Sequence, residues 1–330
     1  MSNRINNFDE NYIYKILKKN FKKNNKNFLN NIGDDASILK LGNKKYAVSC
    51  DIQIENVHFS FKYSKPEEIS YRAVIVAISD LLAMGARPEF FLNSLNIKKG
   101  TSSKIIDKIF YGFKKAARDF NLELIGGNVS SSKQFSLDLT VIGVVKKKYI
   151  SRGSSVGQNI YITDNLGTAS AGLKILKNKK KYEGLNVKKI IQAYIKPELN
   201  IHKLNKLIST NLIKSMIDVT DGLTIDLKRL IKYKDKSLGA SIIWEKIPIE
   251  RSLYKFFNQK TIENLVMNGG DDYKFLFTVD EKDKKVFESK IKSKKIKVHN
   301  IGNTDNTGVI KLIKSGMVKK IDSGGFLHRF

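Results

Sequence analysis

Residues 64–88 read SKPEEISYRAVIVAISDLLAMGARP, and no other stretch constrains the fold as much. Pro66 stands near its start, Glu67 and Glu68 fill the first turn, Gly85 closes it and Pro88 lies beyond. Together they predict one long helix. Ala73, Val74, Ala77 and Leu81 give it an apolar face, which Asp80 interrupts. An acid there is either a rare interior carboxylate or a ligand aimed into a cleft. The residues leave both open.

Around this helix the chain alternates strand and helix patterns. Helical spacing over 8–21 precedes strand KKYAVSCDI. After the long helix come strand EFFLNSLNI, a helix over 101–120, and strands LELIGG and FSLDLTVIGVV. The basic segment VKKKYISRGSSVGQ (145–158) then breaks the pattern. It restarts with strand NIYIT, helices near 168–177, 187–194 and 199–209, and strand KSMIDV. A helix from Gly222, strands LGASIIW and YKFLFTV, helices near 259–267 and 282–291, and late strands KVHNIG and GVIKLI complete it. The order predicts an α+β protein. At 330 residues, two domains are expected, 1–148 and 149–330.

No apolar run approaches the ~18 residues of a membrane span, and the N-terminus lacks the apolar centre of a signal peptide. A single cysteine, Cys50, excludes an intrachain disulfide and a cysteine-rich zinc site. A cytoplasmic protein is expected. The formal charge of +28 is mostly lysine, spread over apparent loops and helix ends without arginine clusters or interleaved stacking aromatics. This reads as a solvated surface, and nucleic acid is not the expected partner.

Against that background the aspartates stand out. Asp34 and Asp35 follow Gly33, Asp51 ends a strand, and Asp80 lies in the helix. Asp218 and Asp221 flank the turn in IDVTDGL, and Asp271 and Asp272 follow two glycines in NGGDDYKFLF. Carboxylates gain little propensity at such junctions, and one alone is better read as an Asx turn or cap. Several together are better read as converging on magnesium, a hard cation that takes carboxylates and substrate phosphates. Without a cation, close carboxylates in a low dielectric repel by several kcal/mol. LIGGNVSSS (124–132) reads as a glycine turn that lets backbone N–H groups approach phosphate oxygens. No Walker A loop, kinase-type glycine-rich loop or HRD motif occurs. His58 in ENVHF is by default a packed or surface histidine.

Taken in order, IGDDASIL, SCDIQIENVHF, AISDLLAMGARP, LIGGNVSSS, SRGSSVGQNIYIT with SAGL, IDVTDGLTIDL, NGGDDYKFLFT and GGFLHRF form one series. The series resembles the thiamine-monophosphate kinase family, of the superfamily with aminoimidazole ribonucleotide synthetase and selenophosphate synthetase. The resemblance implies an N-terminal α/β domain whose sheet forms a barrel across a homodimer. It implies a C-terminal α+β domain, with the active site in the cleft between the two. The implied reaction moves the γ-phosphoryl group of ATP onto thiamine monophosphate, with several Mg2+ ions. Such a reaction needs positioning and charge neutralisation more than covalent chemistry.

Carried over by position, the resemblance makes Asp35, Ser49, Cys50, Asp51, Asp80, Asn128, Asp218 and Asp221 the metal site. It makes Tyr111, Gly127, Asn128, Arg152 and Thr220 the ATP site, and His58, Asp271 and Ser323 the contacts to thiamine monophosphate. Cys50 replaces a usual threonine, so only its backbone carbonyl would serve a hard cation. Asp34 would hold the turn beside Asp35. Asn128 replaces a usual aspartate, Ala77 an asparagine, Asp271 a glutamate and Ser323 an aromatic residue. The rival readings are another synthetase of the superfamily, a non-catalytic relative, and a basic nucleic-acid-binding protein. A selenophosphate synthetase would want a reactive cysteine in a glycine-rich N-terminal segment, and Cys50 ends a strand instead.

Overall fold

The computed structural model describes residues 8–21, 25–30, 32–321 and 324–326. Helix α1 (Glu10–Asn20) comes first, capped by Asp9, whose carboxylate accepts from the Tyr12 amide. The next elements are β1 (Ser37–Leu41), β2 (Lys44–Ile54), α2 (Pro66–Ala83) and β3 (Arg87–Lys98). After them come α3 (Ser103–Phe120), β4 (Glu123–Ser132) and β5 (Ser136–Val144). The five strands form one sheet in the order β1-β2-β5-β3-β4, antiparallel except for β3 with β4.

Helix α2 starts where its sequence predicts. Pro66 occupies the first turn, and the Glu68 carboxylate accepts from the Lys65 amide at 3.0 Å. From Ile69 to Ala83 every residue except Asp80 is buried. The helix therefore has no solvent face, the condition expected of a helix apolar all round. One side packs on the first sheet and α3; the other meets the second half of the chain.

That second half contains β6 (Gln158–Ile162), α4 (Thr168–Lys177), α5 (Lys188–Ile195), α6 (Ile201–Ile208), β7 (Ser215–Val219) and α7 (Leu223–Ile231). It continues through β8 (Gly239–Ile243), α8 (Gln259–Asn268), β9 (Lys274–Asp280), α9 (Lys284–Ser293), β10 (His299–Asp305), β11 (Ile310–Lys314) and β12 (Met317–Lys320). Its seven-stranded sheet runs β12-β11-β8-β10-β6-β9-β7, with β8 and β11 the one parallel pair. Strand periodicity divides its side chains between two cores. Tyr161, Met216, Phe275, Phe277 and Val279 join the core built on α2. Ile160, Ile162, Ile217, Val219 and Leu276 face the second half's own helices. The same alternation puts Asp218, two residues after Met216, on the face toward α2. In the first sheet, Ser49 and Asp51 share the parity of buried Ala47 and also point to α2.

Three features differ from the sequence reading. β2 runs on to Ile54, so Cys50 and Asp51 lie within a strand instead of ending one. β12 lies outside the predicted strands, since its pattern MVKK is exposed throughout and carries no burial signal. The expected glycine turn at 124–132 is not a turn: β4 runs straight through Gly126 and Gly127, paired to β3 across a register shift at Phe91–Leu92. Gly127 lies so close to Asn93 that a Cβ would overlap its carbonyl. The glycine there permits close strand approach rather than chain reversal.

The α2–α3 contact depends on Gly112, where an added Cβ would strike the Glu67 carbonyl and the Ser70 hydroxyl. Gly112→Ala, despite its better helix propensity, is expected to destabilise the fold by about 1–3 kcal/mol. Urea denaturation monitored by circular dichroism measures the shift, and an unchanged midpoint would contradict it.

Candidate active site

Three carboxylates converge at the seam between the two halves. Asp35 comes from the turn before β1, Asp80 from α2 and Asp218 from β7, and they offer oxygens within 4.8 Å of one another. Ser49 donates its hydroxyl to Asp80 Oδ2 at 2.6 Å, and Ser79 donates to Asp218 Oδ2. Arg152 donates through Nε and Nη2 to both oxygens of Asp35 (3.2 and 2.5 Å) and through Nη1 to the Gly33 carbonyl at 3.0 Å. Asp34 does hold the turn: its carboxylate accepts from the Asp35 and Arg152 amides at 3.2 and 3.1 Å and from the Ser151 hydroxyl.

Burial sets the electrostatics. Loss of water, then the charges of Asp51, Asp218 and Asp35, push the Asp80 carboxyl well above the usual carboxylate range. Burial followed by the charge of Asp35 does the same to Asp218. Asp35 is raised by burial against the pull of Arg152. Burial raises Asp51, beside Asp80, to about 6. Such a set either holds protons or takes a cation. All its donors are hard oxygens, which suits Mg2+ and not a thiophilic metal.

A second loop adjoins the cluster. Asp226, fully buried on α7, accepts from the Thr220 and Asp221 amides at 2.9 Å each and from Arg229 Nη1 at 3.0 Å. Arg229 also pairs with Asp221 and, at 3.6 Å, with Glu10 of α1. A cavity of about 400 Å3 opens here, lined by Tyr14, Lys18, Arg152, Asp221, Lys228 and Arg229 among others. Thr220 turns its carbonyl to the Asp271 amide at 2.8 Å, which ties this loop to NGGDDY. Asp271 and Tyr273 both hold positive φ, at 70° and 49°. An aspartate tolerates that region, whereas a tyrosine there is an outlier that the surrounding structure has to hold.

Of the other candidates, His58 and Asp271 lie together: Arg72 donates to the His58 carbonyl at 3.4 Å and pairs with Asp271. Tyr111, Gly127 and Asn128 do not join the acids. Tyr111 is exposed on α3, and Gly127 and Asn128 are exposed on edge strand β4. Ile52, Asp138, Ser94 and Asn128 form one cross-strand row, so Asn128 stands three strand spacings from β2, on the order of 14 Å. It lies on the face turned away from Asp51. Cys50 points to that same face and donates Sγ to Asp138 Oδ1 at 3.1 Å, leaving only its backbone on the cluster side. Ser323 lies outside the described residues; nearby, the Phe326 amide donates to the Asp221 carbonyl at 2.9 Å. Sequence reasoning passed over Ser79, Arg72, Asp226 and Arg229. The legible signal for Asp226 was a third acid in IDVTDGLTIDL, with Arg229 three residues on as its partner; Ser79 and Arg72 carried none, because their partners come from across the seam.

Family models described as AIR synthase related protein match the chain twice, the N-terminal domain over residues 33–145 and the C-terminal domain over 155–315. Fold and site thus define a member of the AIR synthase-related class. A thiamine-monophosphate kinase of Buchnera aphidicola subsp. Schizaphis graminum is 34% identical over 318 residues, 94% of this chain and 95% of that one. The enzyme of the same name from Buchnera aphidicola subsp. Acyrthosiphon pisum is 33% identical over 82% and 83% of the two chains. A solved structure, AaThiL complexed with AMPPCP and TMP, superposes with a TM-score of 0.82 at 25% identity over 97% of each chain. The chain belongs to the thiamine-monophosphate kinase family.

Carboxyls with raised pKa weaken the metal-free fold as pH rises. Asp51 contributes across the window from about 4 to about 6, and Asp80, held well above the usual carboxylate range by burial, adds to the same fall. Asp80→Asn is therefore expected to stabilise chelator-treated protein at pH 7.5 by roughly 1–3 kcal/mol and to flatten the fall from pH 4.5. Calorimetry at both pH values checks this, and a variant less stable than wild type at pH 7.5 would contradict it.

Proposed function

We propose that this chain transfers the γ-phosphoryl group of ATP to the phosphate of thiamine monophosphate, forming thiamine diphosphate and ADP. The buried convergence of Asp35, Asp80 and Asp218 beside a basic cavity carries the reading, in a chain whose relatives are named for that activity. The relative solved with the ATP analogue AMPPCP and TMP supports the same substrates.

Both reactants are anions, and their approach needs positive charge. Magnesium, when bound, supplies it and steadies the phosphoryl oxygens for in-line transfer. Asp35, Asp80 and Asp218 would hold the ions, with Asp51, Asp221, the Ser49 hydroxyl and the Cys50 carbonyl at the margins. Arg152, which neutralises Asp35, is placed to serve the ATP phosphates, and Thr220 lies on the neighbouring loop. The Asp226–Arg229 pair keeps that loop's amides in place. His58 and Asp271 would contact the acceptor, with Ser323 supplied by the C-terminal segment. Residues 1–148 are read as the ATP- and metal-binding unit and 149–330 as the unit that completes the cleft. A cytoplasmic location suits a reaction that consumes ATP. Among the described residues, no helix is long and apolar enough to cross a membrane.

Tyr111, Gly127 and Asn128 belong to this reading through a second copy of the chain. β4 is an unpaired edge, its Leu124, Ile125 and Val129 are exposed, and such an edge invites strand pairing. A homodimer joined along β4 would enclose the open sheet face and give Asn128, a neutral oxygen donor, a site to face. Val129→Lys is expected to turn a dimer into a monomer in sedimentation velocity, and a wild-type monomer at micromolar concentration would remove the dimer.

The activity itself is tested with ATP, Mg2+ and thiamine monophosphate, following thiamine diphosphate by chromatography. Wild type should form product, and Asp80→Asn or Asp218→Asn should lower kcat at least about a hundredfold. Undiminished product in Asp80→Asn would overturn the role of the acids. ATP binding with no product in wild type would overturn the acceptor.

A further inference from the structure

Arg72 lies in the buried stretch of α2, its side chain 6% exposed. Its contacts run in three directions. Nη1 donates to Gln53 Oε1 at 3.2 Å on β2 and to the His58 carbonyl at 3.4 Å. Nη2 pairs with Asp271 in the other half of the chain. Its guanidinium carbon lies 4.5 Å from the ring centroid of Tyr194, whose hydroxyl also donates to the His58 carbonyl at 3.0 Å. Nε has no hydrogen-bond partner among the described residues.

Burying a guanidinium is costly, and nothing in the packing of α2 asks for one. What it accomplishes is geometric. Asp271 stands in the left-handed region at φ 70°, a turn geometry that an aspartate tolerates, so its hydrogen bonds rather than strain decide where its carboxylate sits. The side-chain bonds it accepts, from Arg72 and from the Tyr273 hydroxyl at 3.2 Å, both fall on Oδ1. The carboxylate is thereby fixed by one oxygen while its side chain stays 28% exposed at the seam. A carboxylate held this way keeps its other oxygen as an acceptor for a ligand, while the Arg72 guanidinium offsets its charge. That suits a cationic heteroaromatic ring or its amino group.

We propose that Arg72 is the positioning residue for the acceptor: its guanidinium holds Asp271 and the His58 backbone in register, so that Asp271 Oδ2 meets the acceptor's cationic ring system. The proposal rests on the thiamine monophosphate reading above. A planar, forked guanidinium serves three acceptors and a ring face at once, which a lysine ammonium cannot reproduce. Arg72 touches no reacting atom; it acts through Asp271.

The test compares wild type, Arg72→Lys, Asp271→Asn and the double variant, each checked for folding by circular dichroism and thermal melting. Initial rates are measured with thiamine monophosphate and ATP varied separately. Arg72→Lys should raise KM for thiamine monophosphate about tenfold or more, with KM for ATP and kcat each within about twofold of wild type. The double variant should be no worse in that KM than Asp271→Asn alone, because both act through one carboxylate. KM values for both substrates rising together, additive effects in the double variant, or lowered melting with unchanged KM would each overturn the positioning role. Wild type that turns over ATP without forming thiamine diphosphate would instead overturn the acceptor reading, and this proposal with it. If Arg72→Lys fails to fold, Gln53→Leu and Tyr194→Phe, which loosen the same guanidinium and carbonyl, carry the same KM comparison.

Discussion

Helix α2 has no face left for water. The first sheet and α3 cover one side and β7 of the second sheet meets the other, so any charge on it must be answered by protein, proton or ion. The chain nevertheless places Arg72 and Asp80 on it, eight residues apart and so near one face of the helix. The rest of the site is arranged around those two charges. β7 brings Asp218 to Asp80 because its alternation puts Met216 and Asp218 on the α2 side. The turn before β1 brings Asp35 from a third direction.

The acids are met by arginines from other elements. Arg152 answers Asp35, Arg229 answers Asp221 and Asp226, and Arg72 answers Asp271. In water such pairs would contribute little, and in a dry seam desolvation consumes most of the attraction. Their value is registry: each fork fits one arrangement of its partners and fixes how the two halves of the chain meet. All three reach across the halves, Arg152 to Asp35, Arg72 to Asp271 and Arg229 to Glu10, and Asp34 adds a fourth tie through Ser151. Burial raises the Asp35, Asp80 and Asp218 carboxyls, and their mutual repulsion adds to it beyond what Arg152 offsets.

Much of this was legible in the chain. Pro66, the first-turn glutamates and Gly85 bounded α2 closely, and most strands showed as β-branched or aromatic runs. The aspartates at strand ends pointed to a common site because local propensity gives an acid little reason to be there. What escaped reading depended on distance. Gly126 and Gly127 look like a turn locally, yet β3 lies close enough that only glycine admits the Asn93 carbonyl, and the strand continues. Asn128 fell into the same ordered series of motifs as Asp35, yet register sets it three strands from β2 on the opposite face.

The sequence by itself determined the elements, the class of fold and the residue types of an oxygen-donor site, because capping, periodicity and the rarity of acids in apolar surroundings are local properties. Only the tertiary structure decided which acids meet, which arginines answer them and which face of the first sheet each residue takes. Those outcomes depend on strand register and on the burial of α2 from both sides. A one-residue slip of β7 would turn Asp218 into the second core and bring Ile217 to Asp80, with no change in composition at all.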